Sequence, residues 1–184
     1  MKQLLLPLCF LLSLVACKKD DNDPNGLPKA TQEGKNIGGF LLDGKAWVPK
    51  SSSISTGRPV NAYWRKTKAG RSLDLSLRQF SVDEDWGAGF FLPDIRQAGT
   101  FVLNQIPAIT SGLNNTGYGQ FYQQRPSPAV DYYTGPDAPG QLLITRFDTV
   151  NNIVAGIFEM TPREENGGPT IAITQGRFDV HFDR

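Results

Sequence analysis

Arg71-Ser72-Leu73-Asp74-Leu75-Ser76-Leu77-Arg78-Gln79-Phe80 alternates polar and apolar side chains without a break from Ser72 to Arg78. Successive side chains of an extended strand point to opposite faces. This spacing therefore sets Leu73, Leu75 and Leu77 on one face and Ser72, Asp74, Ser76 and Arg78 on the other. A strand with one dry and one wet face belongs to an antiparallel sheet rather than to a parallel sheet buried on both sides.

The same pattern extends in both directions from this stretch. Upstream, Val60 to Lys68 turns back through Ala69-Gly70. Before it, Phe40 to Val48 reads as a hairpin whose Asp43-Gly44 pair suits the positive φ angles of a type I′ turn. Downstream come Gly87 to Pro93, Thr100 to Asn104, Tyr118 to Gln123 and Val130 to Thr134. Gln141 to Asp148 then pairs with Ile153 to Thr161 across Thr149-Val150-Asn151-Asn152. Thr170 to Thr174 and Arg177 to Phe182 close the chain as a hairpin across Gln175-Gly176. No long helical stripe interrupts these runs, and the 19 glycines and 13 prolines fall mostly between them, as turns require. The expectation is an all-β domain over 37–184, a single antiparallel β-sandwich or flattened barrel of about ten short strands.

Residues 1–36 lack this alternation. Lys2 precedes an apolar run from Leu4 to Val15, which ends in Leu14-Val15-Ala16-Cys17. That order is a bacterial lipoprotein signal peptide over 1–16, cut before Cys17. The run is shorter than the roughly 20 apolar residues of a spanning helix, and Pro7 interrupts it. Cys17 is the expected lipidation site, and two or more acyl chains hold a protein stably at about 0.8 kcal/mol per buried methylene. Residues 17–36, polar and broken by Pro24, Gly26 and Pro28, read as a lipidated N-terminus and flexible tether, with a mean span of roughly 25 Å over 18–36. No aspartate directly follows Cys17, so the inner-membrane retention signal is absent. Lys19-Asp20-Asp21 resembles the lysine-plus-acidic export tag of Bacteroidetes lipoproteins. That resemblance implies an outer-membrane protein facing the cell exterior.

The 184 residues suit one folded domain. The formal charge is +1, and loss of Lys2 with the signal brings acidic and basic residues into balance, so nucleic acid is not an expected partner. Cys9 leaves with the signal and Cys17 takes the lipid. The mature domain then has neither a disulfide nor a thiol nucleophile.

Three stretches carry a family likeness. They are Gly34 to Pro49, the series Tyr133-Thr134 through Gly140, Ile144 to Asp148 and Ala155 to Glu159, and the close Ile173 to Val180. Together they resemble a family of uncharacterised Bacteroidetes lipoproteins, a domain of unknown function. The family usually has Ser-Gly-Thr-Phe where this chain has Ala155-Gly156-Ile157-Phe158, a departure that leaves the strand intact. The resemblance implies a secreted all-β lipoprotein and brings no catalytic residues with it.

Few residues suggest chemistry. His181 is the single histidine and shares a strand face with Arg177 and Asp179, which reads as a wet face. One imidazole and no free thiol give a zinc site too few ligands, and no Gly-x-Ser-x-Gly elbow accompanies the serines. Asp83-Glu84-Asp85 offers oxygen ligands but not the spacing of a calcium loop. Asp148 and Glu159 are carboxylates whose separation across a cleft the sequence leaves undetermined. No cofactor is expected.

The most suggestive surface is 112–140. Tyr118, Phe121, Tyr122, Tyr132 and Tyr133 there accompany Asn114, Asn115, Gln120, Gln123 and Gln124. Rings that stack and amides that hydrogen-bond hydroxyls are what a sugar-binding face uses, and tyrosine equally suits a protein interface. Tyr118, Tyr122, Tyr132 and Tyr133 are the candidate binding residues. The expected function is a non-enzymatic, lipid-anchored envelope protein that meets a glycan or protein partner. A calycin-like barrel carrying a small apolar ligand is the alternative, and an envelope hydrolase the third.

Overall fold

The computed structural model describes residues 22–52, 57–67, 70–108 and 115–184. Cys17, the export tag, Ala69 of the Ala69-Gly70 turn and Asn114 lie outside the described residues.

The strands are β1 (Ile37–Leu42), β2 (Lys45–Trp47), β3 (Lys50–Ser51), β4 (Val60–Thr67), β5 (Gly70–Phe80), β6 (Asp85–Leu92) and β7 (Gly99–Leu103), followed by β8 (Tyr118–Arg125), β9 (Val130–Tyr133), β10 (Gly140–Asp148), β11 (Ile153–Met160), β12 (Arg163–Glu164) and β13 (Ile173–Asp183). No helix occurs among the described residues. The strands form one curled sheet, a half-barrel, in the order β12-β9-β8-β6-β5-β4-β13-β11-β10-β7, with β1 on β13, β2 on β1 and β3 on β5. The all-β expectation holds. The sheet is mixed rather than wholly antiparallel, because β13 runs parallel to β4 at Phe182 and Asp183 and β3 runs parallel to β5.

Strand β5 keeps the alternation read from sequence. Leu73, Leu75 and Leu77 are buried and Asp74, Ser76 and Arg78 lie half-buried on the opposite face. Complete burial of each leucine contributes about 2 kcal/mol. The curl brings the two halves of the sheet face to face, and aromatic rings fill the space between them. Phe90 of β6 meets Phe158 of β11 with centroids 4.6 Å apart, Phe40 of β1 meets Phe121 of β8 at 6.3 Å, and Trp47 of β2 meets Trp86 of β6 at 6.0 Å. Edge-to-face contacts of this kind add about 1 kcal/mol each beyond the area they bury.

The expected turns at Asp43-Gly44 and at 149–152 are present. Asp43 and Gly44 have φ of 46° and 79°, and Asp148 Oδ1 accepts the N–H groups of Val150 and Asn151 at 2.9 Å each. The closing hairpin is not. β13 is one strand of eleven residues, and Gln175, with φ of 51°, marks a bulge within it. The paired strands shift register at the same level, β11 between Phe158 and Met160 and β1 between Gly39 and Leu41. An extra residue accommodated as a bulge bends a strand without reversing it.

The tether expected at 17–36 also changes character, for residues 22–36 lie against the sheet. Leu27 is fully buried. Asp179, 1% exposed, accepts hydrogen bonds from Thr31 Oγ1 at 2.6 Å and from the backbone N–H groups of Glu33 (2.9 Å), Gly34 (2.7 Å) and Lys35 (3.2 Å). Arg177 pairs with Asp23, and Asn25 Nδ2 donates to Gln175 Oε1 at 2.8 Å. The face of β13 read as wet is thus covered by this N-terminal strap at Asp179 and partly at Arg177, while His181 stays exposed. Composition suggested a free linker because the strap holds few apolar residues. Polar contacts to β13 and the single anchor Leu27 hold it instead.

Candidate functional site

Three rows of side chains cross the outer face of β5, β6 and β8. The backbone register aligns Asp74 with Phe91 and Tyr118, Ser76 with Gly89 and Gln120, and Arg78 with Gly87 and Tyr122. Strand β9 extends the second row with Tyr133 and the third with Asp131. Adjacent strands lie about 4.8 Å apart, so each row is a line of touching side chains. The two glycines leave the middle strand bare in the second and third rows. The result is a recess of about 280 Å³ lined by Asp74, Ser76, Gly89, Phe91, Tyr118, Gln120 and Tyr122. That volume sits at the lower end of small-ligand pockets and matches a single ring-sized group.

The missing side chains let neighbours lie over β6. A Cβ on Gly89 would come within 3.0 Å of Gln120 Nε2, so the amide lies in the space that the glycine leaves. Tyr122 lies beside Ser76 and Gln120 in the lining of the recess. Phe91 and Tyr118 stack with centroids 5.9 Å apart at 27°, and Tyr133 meets the edge of Tyr118 at 6.1 Å. Burial lifts all three phenols above the ordinary tyrosine value. Tyr118 is raised further by the Asp74 charge, and in Tyr122 the neighbouring Ser76 hydroxyl opposes the rise. Burial, helped by Asp131 and Glu165, pushes Tyr133 up to about 12. All three therefore present an O–H donor at neutral pH. Burial also raises the Asp74 carboxyl, against the opposing charge of Arg65.

The four candidate tyrosines divide between two faces. Tyr118, Tyr122 and Tyr133 share the outer face. Tyr132 lies on the inner face against Phe121, with centroids 6.1 Å apart, and belongs to the core. Period two along β8 and β9 accounts for this, since Tyr132 and Tyr133 are adjacent and must point apart. Asn115 is taken up by the loop, its Oδ1 accepting from Ala108 N and its Nδ2 donating to Ala108 O. Gln124 donates to Asp131 Oδ1 at 3.1 Å. Asp74, Ser76 and the glycine floor were not singled out in the sequence. The polar half of the β5 alternation was a usable signal for Asp74 and Ser76, but which strand would lie beside β8 was not.

The histidine and the other acidic residues make structural contacts. The His181 backbone N–H donates to Asn36 Oδ1 at 3.0 Å, and its imidazole packs over Gly34. Asp85 takes a bidentate contact from Arg78 at 2.8 and 2.9 Å, and Glu84 pairs with Lys50 at 3.2 Å. Among the described residues no three potential metal-ligating side chains cluster. Hydrogen bonds from the Asn151 side chain and backbone, with help from Arg146, hold the Asp148 carboxyl well below the usual range. Glu159 lines a larger recess of about 450 Å³ with Leu143, Ile157 and Arg177 on the far half of the sheet, where no tyrosine contributes.

Fold and site together define an all-β protein with a curled mixed sheet and an aromatic, polar-rimmed recess on its outer face. No family model, curated protein or solved structure matches the chain.

Proposed function

We propose that this is a non-enzymatic, lipid-anchored protein of the outer membrane, facing the cell exterior, that binds a glycan through the recess on β5, β6 and β8. One observation carries the reading. Tyr118 and Tyr122 flank a glycine floor beside Asp74, Ser76 and Gln120, so ring faces and hydroxyl-bonding groups converge on a space the size of one sugar ring. Rings supply stacking area and fixed polar groups supply orientation. Tyr118→Ala and Tyr122→Ala are expected to weaken retention of the domain on polysaccharide columns at least tenfold. Tyr132→Ala should lower stability without selectively altering retention. Unchanged retention in both outer-face variants would remove the glycan reading and leave a protein partner.

The small-ligand carrier is the second reading. It needs a hollow interior, whereas the Phe90–Phe158 and Phe40–Phe121 contacts occupy the space between the two halves. The hydrolase reading draws no support from Asp148, which caps a turn.

The anchor follows from the sequence motif at Cys17 and, in this reading, determines presentation. With residues 22–36 held on the sheet, four residues separate Cys17 from Asn22, a reach of at most about 17 Å. The domain then rides close to the lipid surface. Mass spectrometry of the mature N-terminus should find Cys17 acylated, and protease treatment of intact cells should remove the domain. A bare Cys17 would dismiss the anchor, and full protection would place the protein inside the envelope.

A further inference from the structure

We infer that the recess selects a sugar bearing a protonated amine over a neutral hexose; this rests on the glycan reading above. The geometry begins with Asp74. Its side chain lines the recess, and among the described residues no donor lies within hydrogen-bond distance of it and no cation within 4.0 Å. Asp74 is half-buried, and a carboxylate partly withdrawn from water gains when a cation of opposite charge reaches it. Two other carboxylates of this face have partners: Asp85 has Arg78, and Asp131 has Gln124.

The surroundings of Asp74 are aromatic. Phe91, stacked on Tyr118, lies across the ladder on β6, and Tyr63 lies across it on β4. Ring faces attract cations through their quadrupole, and a carboxylate among rings is a receptor for an ammonium group. The chain already places one cation on this rim, for the Arg65 guanidinium sits 4.3 Å above the Tyr63 ring. Arg65 is the one charged side chain of β4 that acts on Asp74, and it lowers the carboxyl without reaching it. From β5 itself Arg78 is neutralised by its bidentate contact with Asp85. A ligand amine can therefore approach Asp74 over the Phe91 ring while its sugar ring rests over Gln120 and Tyr122.

The test compares retention of the full chain on chitosan beads, a polymer of free-amine glucosamine, with retention on cellulose beads, its neutral counterpart. A formal charge of +1 gives the protein no bulk attraction to a polycation. The expected result is at least tenfold stronger retention on chitosan, elution by soluble glucosamine but not by glucose, and loss of the preference in Asp74→Asn. The glucosamine competition stands on the unmodified chain if that variant folds poorly. Equal retention on both beads, or elution by glucose as readily as by glucosamine, would overturn the amine preference and leave the glycan reading intact. Retention on neither, with Tyr118→Ala and Tyr122→Ala indifferent on every polysaccharide, would remove both. Capture by polylysine but not by chitosan would overturn the sugar and point to a basic protein.

Discussion

Asp179 shows how one side chain can be structural where its neighbours in sequence suggest chemistry. It lies two residues from the single histidine, yet its oxygens are taken up by Thr31, Glu33, Gly34 and Lys35. Burial pushes this carboxyl up, and the hydrogen bonds of the strap outweigh that push and hold it below its ordinary value. A carboxyl depressed in the folded state adds stability above its unfolded value, near 4, and that stability is lost as pH falls through the lower folded value. Thermal unfolding should therefore show a loss of stability from about pH 5 downward that is flatter in Asp179→Asn. Asp179→Ala is expected to cost about 3 kcal/mol in denaturant titrations, since it removes charge-assisted hydrogen bonds and leaves buried N–H groups unpaired. At the same scale, Tyr132→Ala should cost about 2–3 kcal/mol and leave the outer rings in place.

The elements were legible where alternation was strict and the turn chemistry local. β5 and the two hairpins at Asp43-Gly44 and 149–152 follow from the chain alone. β13 does not. Gln175-Gly176 has the look of a turn, but a turn and a bulge both use a residue at positive φ followed by one without a side chain, and only the paired strands decide between them. Gly176 packs directly under the Phe158 ring, where a Cβ would overlap it. Gly176→Ala should therefore destabilise by about 2–3 kcal/mol, read as a lowered unfolding midpoint. Gln175→Gly should change stability little, because relief of a left-handed backbone at a non-glycine residue offsets the lost hydrogen bond from Asn25. For the candidate site, the tyrosines were visible in the sequence. Their division into outer and inner faces needed only the period of β8 and β9, while their meeting with Asp74 and Ser76 needed the order β5-β6-β8.

At the scale of the whole molecule, the strap shortens the free segment between the domain and the lipid anchor proposed at Cys17. If residues 22–36 were free, that proposed anchor would hold the domain on a long leash. Held on β13, they would, under the proposed anchoring, set which end of the sheet lies near the lipid. Lys29 and Lys35 are exposed side chains on a docked backbone; releasing that backbone through Asp179→Ala should let it enter the trypsin site, and limited proteolysis should cut the variant there at least tenfold faster than the parent chain. The sequence by itself determined the all-β class, most strand positions, the local turns and the lipoprotein motif, because each depends on residues close together in the chain. The tertiary structure alone decided that the sheet curls on itself, that the strap is docked, and that β6, with Phe91, Gly89 and Gly87 on its outer face, lies between β5 and the tyrosines of β8. Those features depend on which distant strands hydrogen-bond to one another, and backbone hydrogen bonds, common to every residue, leave no signature in side-chain order.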